Sequence, residues 1–291
     1  MSTKQPQRQP QPRTFAELTG VEYPQDVVDF VIPDLSRDLP YGVYLTPQLA
    51  QLSVNPVVTR IYTLAKGYFG ELESTLSDAR AGSDVAHKRM GKLADFPEPG
   101  EFGFGFTRRS WRGRGVGNGE LSAYILEVMY QCPTLAKVCT VHPDALAFIP
   151  FVATDRVSDV IANVSKDAFI EYTQQQADFY GFDPRCMREV PVKHVWDPAN
   201  CEFVTRRVVV PVREDGLPIL LAPKEIVRSS PPVRPSQYTR TFHGVRRSLT
   251  KDEILQELGD RPNRLVRLMD QIFEELWRYR PRREFRDRLD R

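Results

Sequence analysis

Apolar residues recur at helical spacing in several stretches of the chain, and these stretches predict its helices. Over 56–76 they recur every three or four residues, as on one face of a helix. The same spacing predicts helices at about 85–93 and 120–130 and a long helix over 158–180. Gly181 follows this last stretch directly and is expected to end the helix.

One stretch predicts a β-hairpin. The segment 203–212 is rich in valine, and the segment 217–222 is almost wholly apolar. Asp215 and Gly216 stand between them, and Asp-Gly between two apolar runs is typical of a tight hairpin turn. The sequence therefore predicts a hairpin at 203–222.

Two weaker patterns predict further strands. Phenylalanine and glycine alternate over 102–106, which is the period of a strand. The apolar run 145–153 is interpreted as a buried strand, split or placed at an edge because Pro150 interrupts it. Taken together, the elements predict an α+β or α/β fold in which a small sheet with a hairpin is flanked by helices.

The distribution of proline and charge divides the chain into four parts. Residues 1–14 are rich in proline and glutamine and are expected to be a disordered tail. A main core is predicted at 15–228 and a Pro/Ser-rich linker at 229–248. The remainder, 249–291, is predicted to be a helical extension with a capping box at its start and an arginine-rich tail.

Composition narrows the class of protein. The 40 basic and 38 acidic residues give a formal net charge of +2, so any contact with nucleic acid has to come from local patches. The sequence has neither the apolar segment of a signal peptide nor a run of about 18 apolar residues, so a cytoplasmic protein is expected. The four cysteines lack the spacing of a zinc module and are expected to be thiols.

A loop rich in glycine and arginine is a candidate phosphate-binding site. It covers 107–119, between a predicted strand and a predicted helix, where glycine exposes backbone N–H groups and arginine grips phosphate oxygens. Trp111 among the arginines would stack on a base. The other interpretation is a flexible basic loop in which glycine serves only for turning. The predicted phosphate-binding residues are Arg109, Arg112, Gly113, Arg114, Gly115 and Gly117.

A second constellation lies at the predicted start of the long helix. Asp155 would sit on the loop before the helix and Ser158 would cap it, while Asp159 and Asn163 project from one helix face. Two carboxylates and an amide oxygen suit a hard cation, so Asp155 and Asp159 are predicted ligands of Mg²⁺. Arg156 would neutralise charge in the transition state, which makes all four residues catalytic candidates. In the alternative, the acids cap the helix and Arg156 pairs with Asp155.

The hairpin offers a third, weaker candidate. An acid at Glu214 and a lysine at Lys224 resemble the active-site layout of the restriction-type nuclease fold. That fold places the acid two residues before the lysine, and here Ala222 occupies that position. An ordinary surface lysine is therefore expected. The four histidines are far apart in sequence and show no ligand spacing.

Three of these segments carry a resemblance to known proteins. The segments 113–117 (GRGVG), 155–159 (DRVSD) with 172–174 (YTQ), and 217–224 (LPILLAPK) resemble a set of uncharacterised bacterial proteins from mobile-element or phage-defence gene neighbourhoods. The resemblance covers roughly 35–228. It implies a bacterial cytosolic setting and antiviral defence, and it favours chemistry on nucleic acids or nucleotides.

These features predict metal-assisted hydrolysis of a phosphodiester or nucleotide, with Mg²⁺ as cofactor and nucleic acid or a nucleotide as partner. The alternative is a non-enzymatic interaction subunit of a larger defence or nucleic-acid complex, with the C-terminal helices docking a protein partner. A third hypothesis is sequence-nonspecific nucleic-acid binding without chemistry, which would depend steeply on salt.

Overall fold

A computed structural model describes residues 14–94, 96–105, 119–229, 234–244 and 248–268, with the side chains of 119–121 and 154 excepted. The predictions made for the glycine/arginine loop and for both tails lie outside these residues. So does the end of the predicted C-terminal extension, of which the structure describes the helix Lys251–Asp260 and the helical residues 263–268.

Helices dominate the described part of the chain. They are α1 (Phe15–Thr19), α2 (Pro47–Leu52), α3 (Pro56–Arg80), α4 (Asp84–Leu93), α5 (Gly119–Gln131), α6 (Pro133–Cys139), α7 (Thr154–Val164), α8 (Lys166–Tyr180), α9 (Pro235–His243) and α10 (Lys251–Asp260). Short 3-10 helices lie at Gly100–Phe102, Pro143–Phe148 and Lys224–Ile226.

The strands form two small antiparallel sheets in the described residues. The strands β1 (Gly42–Val43) and β4 (Val227–Arg228) make one pair, and β2 (Met187–Asp197) and β3 (Glu202–Pro211) make the other. Because short antiparallel sheets stand beside many helices, the mixed α+β class predicted from the sequence is confirmed.

Helix α3 is the centre of the core. Asn55 caps it by accepting from the backbone N–H of Val57, and Pro56 occupies its first turn, where a missing N–H costs nothing. Its apolar stripe, including Ile61, Ala65 and Tyr68, is fully buried. The predicted helix at 56–76 is thus confirmed and extended to residue 80.

Strand β3 does belong to a β-hairpin, but its partner is β2 and not the predicted return strand at 217–222. Strand β3 and the turn at Gly216, with φ of 87°, are present as predicted. The long partner of β3 is β2, joined to it by the turn at 198–201. The predicted return strand forms only a bridge between Val212 and Pro218. Pro218 and Pro223 lack the N–H groups that a second full ladder needs.

Two predicted strands are wrong. The first four residues of 145–153 belong to the 3-10 helix Pro143–Phe148, and the described part of the other segment, 102–105, contributes only a bridge between Leu39 and Phe104. A short run that is apolar at every position has no period, so it does not distinguish a buried strand from a buried helical turn.

The predicted long helix is divided in two. Helix α7 begins at Thr154, and Ser165 separates it from α8, which ends at Gly181 in the left-handed conformation as expected. Ser158 is not a cap, since its hydroxyl lies inside α7 and accepts a hydrogen bond from the N–H of Val43 at 2.8 Å. The hydroxyl of Ser165 donates to the carbonyl of Ile61 at 3.2 Å, which fixes the break against α3.

The C-terminal extension packs on the core. Thr250 and Glu253 form the predicted capping box of α10, and the ammonium group of Lys251 donates to the carbonyls of Ile149 and Val152 at 2.8 and 2.9 Å. Helix α9 falls inside the segment predicted as a linker. All four cysteines are unpaired thiols. Within the described residues, no helix has the length and apolar character needed to cross a membrane.

Candidate functional site

The residues predicted to act at the start of α7 lie together in its first three turns. Asp155 is half-buried, and its carboxylate accepts from the N–H of Arg156 at 3.0 Å. The guanidinium of Arg156 lies 3.5 Å from the carboxylate of Asp159, which is only 9% exposed. Part of the alternative interpretation is therefore correct, since Arg156 does pair with a carboxyl group, but its partner is Asp159.

Two further carboxylates reach this site from distant segments. Glu98 follows α4 in a proline-rich stretch, and Asp38 precedes β1. Sequence reasoning missed both, because an acid in an aperiodic loop carries no signal of where the chain takes it. We call Asp38, Glu98, Asp155 and Asp159 the acidic cluster.

Neighbouring carboxylates in the acidic cluster raise the pKa values of Asp159 and Glu98. Burial raises the pKa of Asp159 to about 8, with Arg156 opposing the shift and Asp155 and Glu98 adding to it. Burial also raises the pKa of Glu98, and the charges of Asp38 and Asp155 raise it further. The pKa of Asp38 is raised by burial, against the charge of Arg213. Like charges brought together and desolvated in this way are more common at functional sites than elsewhere.

Asn163 holds the segment that carries Glu98 against α7. Its side-chain amide nitrogen donates to the carbonyl of Pro97 at 2.7 Å and to the carbonyl of Asp159 at 2.9 Å. Its Oδ1 atom is fully buried and has no hydrogen-bond partner among the described residues. A buried acceptor without a donor is costly, which is why such atoms usually receive a hydrogen bond or coordinate an ion.

Strand β1 closes one side of the site. A Cβ atom at Gly42 would lie 2.8 Å from the Cβ of Ser158 and 2.9 Å from the hydroxyl of Tyr44, so only glycine lets β1 approach α7 this closely. Beside Tyr44, Asp144 is completely buried and accepts from the N–H of Leu45 at 3.3 Å. Burial raises the pKa of Asp144 to about 8, and that hydrogen bond and Arg228 oppose the shift.

The glycine/arginine loop starts at the acidic cluster. Gly105, the last described residue before it, donates its backbone N–H to the carbonyl of Leu39, and its added Cβ would lie 3.4 Å from that of Asp38. The described chain resumes at Gly119 with α5. The six residues predicted to bind phosphate lie between these points, outside the described residues: Arg109, Arg112, Gly113, Arg114, Gly115 and Gly117.

The oxygen atoms of this site suit a hard cation better than a soft one. Within 14–94, 96–105 and the other described ranges, no group of three or more His, Cys, Asp or Glu side chains is arranged to hold a metal ion. Mg²⁺ does not require such a cage, since it is commonly bound through one or two carboxylates and keeps several waters. The carboxylates of Asp155 and Asp159 and the unpaired Oδ1 of Asn163, all on α7, are oxygen donors of the kind that Mg²⁺ prefers.

In the third candidate, the pair Glu214 and Lys224, the lysine has a structural role. The ammonium group of Lys224 donates to the carbonyl of Gln25, and its backbone N–H donates to the carbonyl of Asp29 at 3.0 Å. Lys224 thereby ties the 25–29 segment to the chain after the Gly216 turn, while Glu214 is exposed in that turn.

Comparison with known proteins places the chain in a family. The model of a family described as a domain of unknown function, DUF8370, matches residues 20–234, which are about three quarters of the chain. Searches of curated proteins and of solved structures returned no match. The matched range contains the acidic cluster, the glycine/arginine loop and the β2–β3 hairpin. The chain is therefore a member of the DUF8370 family.

Proposed function

We propose that this protein is a bacterial cytosolic hydrolase that cleaves a phosphodiester or nucleotide with the help of Mg²⁺ held by Asp155 and Asp159. The observation that carries the proposal is the buried carboxylate of Asp159, whose pKa is raised to about 8 by burial and by the neighbouring Asp155 and Glu98. A cation bound there would relieve this repulsion.

Arg156 and Asn163 support the same proposal in different ways. The guanidinium of Arg156 lies 3.5 Å from Asp159, close enough to share a phosphate oxygen with a cation on that carboxylate. Asn163 keeps Glu98 in place through Pro97 and offers its unpaired oxygen to a ligand or to a water. When bound, Mg²⁺ would polarise the phosphoryl group and lower the pKa of a water molecule.

The glycine/arginine loop supplies the substrate side of the proposal. The described chain before it ends at Gly105, next to Asp38 of the acidic cluster, and we propose that its arginines bind the phosphate of the substrate. Replacing Arg112 and Arg114 by alanine should weaken binding of single-stranded DNA. Its salt dependence should also fall, by about one unit of slope for each phosphate that the variant no longer binds.

The test is a melting experiment paired with a hydrolysis assay. Saturating Mg²⁺ or Mn²⁺ should raise the melting temperature by about 3 to 8 °C, since a ligand that binds only the folded state stabilises it. The same ions should support hydrolysis of bis(p-nitrophenyl) phosphate, a generic phosphodiester. Asp155→Asn and Asp159→Asn should each abolish both effects, while Asp178→Asn, at an exposed position of α8, should retain them. Absence of both effects in the unmodified protein would overturn the proposal.

One observation favours an interaction subunit as a second candidate. Phe151, just before α7, is 83% exposed and has φ of 60°, an unusual backbone conformation for an aromatic residue. Exposed aromatic side chains are enriched among the residues that contribute most to protein–protein binding, and backbone strain persists where the surroundings enforce it. Phe151→Ser should then weaken association with a partner protein while leaving the response to Mg²⁺ unchanged.

A further inference from the structure

A cavity of about 550 Å³ lies beside the C-terminal end of α4. Helices α4 and α5 and the β2–β3 hairpin surround it, and Ala94 lines it four residues before Glu98. Its size is within the range of small-molecule sites, which is roughly 300 to 1,000 Å³. The side chains that face it are Lys92, Ser122, Leu126, His194, Glu202 and Phe203.

The floor of the cavity is rigid. The ring of Phe203 packs against Trp196 at 5.4 Å and against Tyr68 at 6.0 Å. The hydroxyl of Tyr68 donates to the carbonyl of Leu93 at 2.6 Å, which fixes the end of α4 beside the cavity. A site with such a supported aromatic side chain is preorganised for a flat ligand.

The backbone of the hairpin is strained at the cavity wall. His194 has φ of 54°, in the left-handed region, and it lies in the register shift of β2 between Val192 and Val195. Such bulges redirect a side chain and are over-represented next to functional sites, where strain persists because the surroundings enforce it. Here the bulge turns His194 toward the cavity, next to Phe203.

Gly91 lines the cavity from helix α4. It lies inside helix α4, where glycine costs about 1 kcal/mol relative to alanine. A Cβ atom added there would meet no atom within 4 Å, and its φ is not in the left-handed range, so neither packing nor backbone conformation requires glycine. The residue lines the cavity, so a larger side chain at this position is expected to reduce its volume.

We propose that this cavity binds a nucleotide. The faces of a base would contact Phe203 and Leu126, Glu202 would accept from an exocyclic amino group, and Lys92 would meet the phosphate. The inference rests on the proposed function for the class of ligand and on the cavity for the place. Gly105, whose added Cβ would lie 3.4 Å from that of Asp38, belongs to the acidic cluster's surroundings, and α5, which begins at Gly119, carries Ser122 of the cavity.

The test uses adenosine 5′-monophosphate as the probe and isothermal titration calorimetry on the full chain without metal. The unmodified protein should bind it saturably below about 1 mM, the weak end of the range usual for metabolite sites. Gly91→Leu should weaken binding at least tenfold by filling the cavity. Gly67→Leu is the matched control, because Gly67 is also an exposed helical glycine with no atom near its added Cβ, and it should change affinity less than twofold.

A second variant tests the stacking role. Phe203→Leu should weaken binding of the probe about tenfold, within the range expected when one base can no longer stack on an aromatic ring. Its folding is checked by circular dichroism, since Phe203 also packs on the aromatic floor. Inorganic phosphate alone should bind far more weakly than the nucleotide.

The outcomes separate this inference from the proposed function. Gly91→Leu should keep the Mg²⁺-dependent rise in melting temperature, and Asp159→Asn should keep nucleotide binding. Nucleotide binding without any response to Mg²⁺ would support the cavity and overturn the hydrolase proposal. Failure of the unmodified protein to bind the probe, or equal binding by Gly91→Leu, would overturn the cavity proposal alone.

Discussion

The side-chain amide of Asn163 donates a hydrogen bond of 2.7 Å to the carbonyl oxygen of Pro97, and this contact joins two segments 66 residues apart in sequence. Because Glu98 follows Pro97 directly, the contact sets the distance of that carboxylate from α7. The arrangement of the acidic cluster therefore depends on an uncharged residue.

Asn163→Ala should cost about 1 to 3 kcal/mol of stability, because the carbonyl of Pro97 loses its donor in a partly buried place. It should also reduce the rise in melting temperature caused by Mg²⁺. Urea unfolding measures the loss of stability, and thermal unfolding with and without Mg²⁺ measures the rise in melting temperature. Gln175→Ala, which removes an exposed amide from α8, is the control and should leave both nearly unchanged.

The affinity for Mg²⁺ should rise with pH. Burial raises the pKa of Asp159 to about 8, so at neutral pH a metal has to displace a proton from that carboxyl. Apparent affinity should increase up to about tenfold per unit between pH 6 and pH 8 and level off above that range. Calorimetric titration at four pH values, in buffers of different ionisation enthalpy, measures the affinity and the released proton. A pH-independent affinity would contradict ligation of Mg²⁺ by a carboxyl group whose pKa is raised.

Asp144→Asn should stabilise the protein more at pH 8 than at pH 5. Burial raises the pKa of Asp144 to about 8, whereas in the unfolded chain the carboxyl ionises near 4. Between these values the folded state binds the extra proton, so the contribution of Asp144 to stability falls as pH rises from about 4 to about 8. Because asparagine does not ionise, Asp144→Asn does not lose stability in this way as pH rises.

Urea unfolding of both proteins at pH 5, 6.5 and 8 tests this difference. The gain in unfolding free energy should grow at each step, and a gain of the same size at all three values would contradict the shifted pKa. Asp178→Asn removes one negative charge at an exposed position and serves as the control.

Gly42→Ala should destabilise the fold by about 1 to 3 kcal/mol, because its Cβ would lie 2.8 Å from that of Ser158. The strand β1 would have to move away from α7 and weaken the hydrogen bond between Val43 and Ser158. Gly67→Ala, inside α3 with open space around its Cβ, should instead stabilise by about 0.5 to 1 kcal/mol. Thermal and urea unfolding of the two variants compare them directly, and equal effects would contradict the close approach.

The sequence predicted the elements that carry a strong period. The long amphipathic stripe of α3, the glycine cap of α8 and the capping box of α10 are local features, and each is present. The break at Ser165 was not predictable, because the apolar stripe continues across it and only a contact with α3 reveals it. Strand β2 was missed since Pro191 and charged residues interrupt its apolar pattern.

The candidate site was predictable only in part. Asp155, Arg156, Asp159 and Asn163 share one helix, so their proximity follows from helical spacing. Asp38 and Glu98 come from loops whose positions depend on contacts of Gly105 and Asn163, which no local pattern encodes. For Asn163 the predicted role as a metal ligand stays a prediction, and the structure adds a positioning role through Pro97.

The β2–β3 hairpin bears on the order in which the walls of the cavity form during folding. Only the four-residue turn at 198–201 separates its strands, and hairpins with such short connections close within microseconds. The bulge with His194 and the adjacent pair Glu202 and Phe203 all belong to this hairpin. We therefore expect one wall of the cavity to form from local contacts, and α4 and α5 to complete it from more distant parts of the chain.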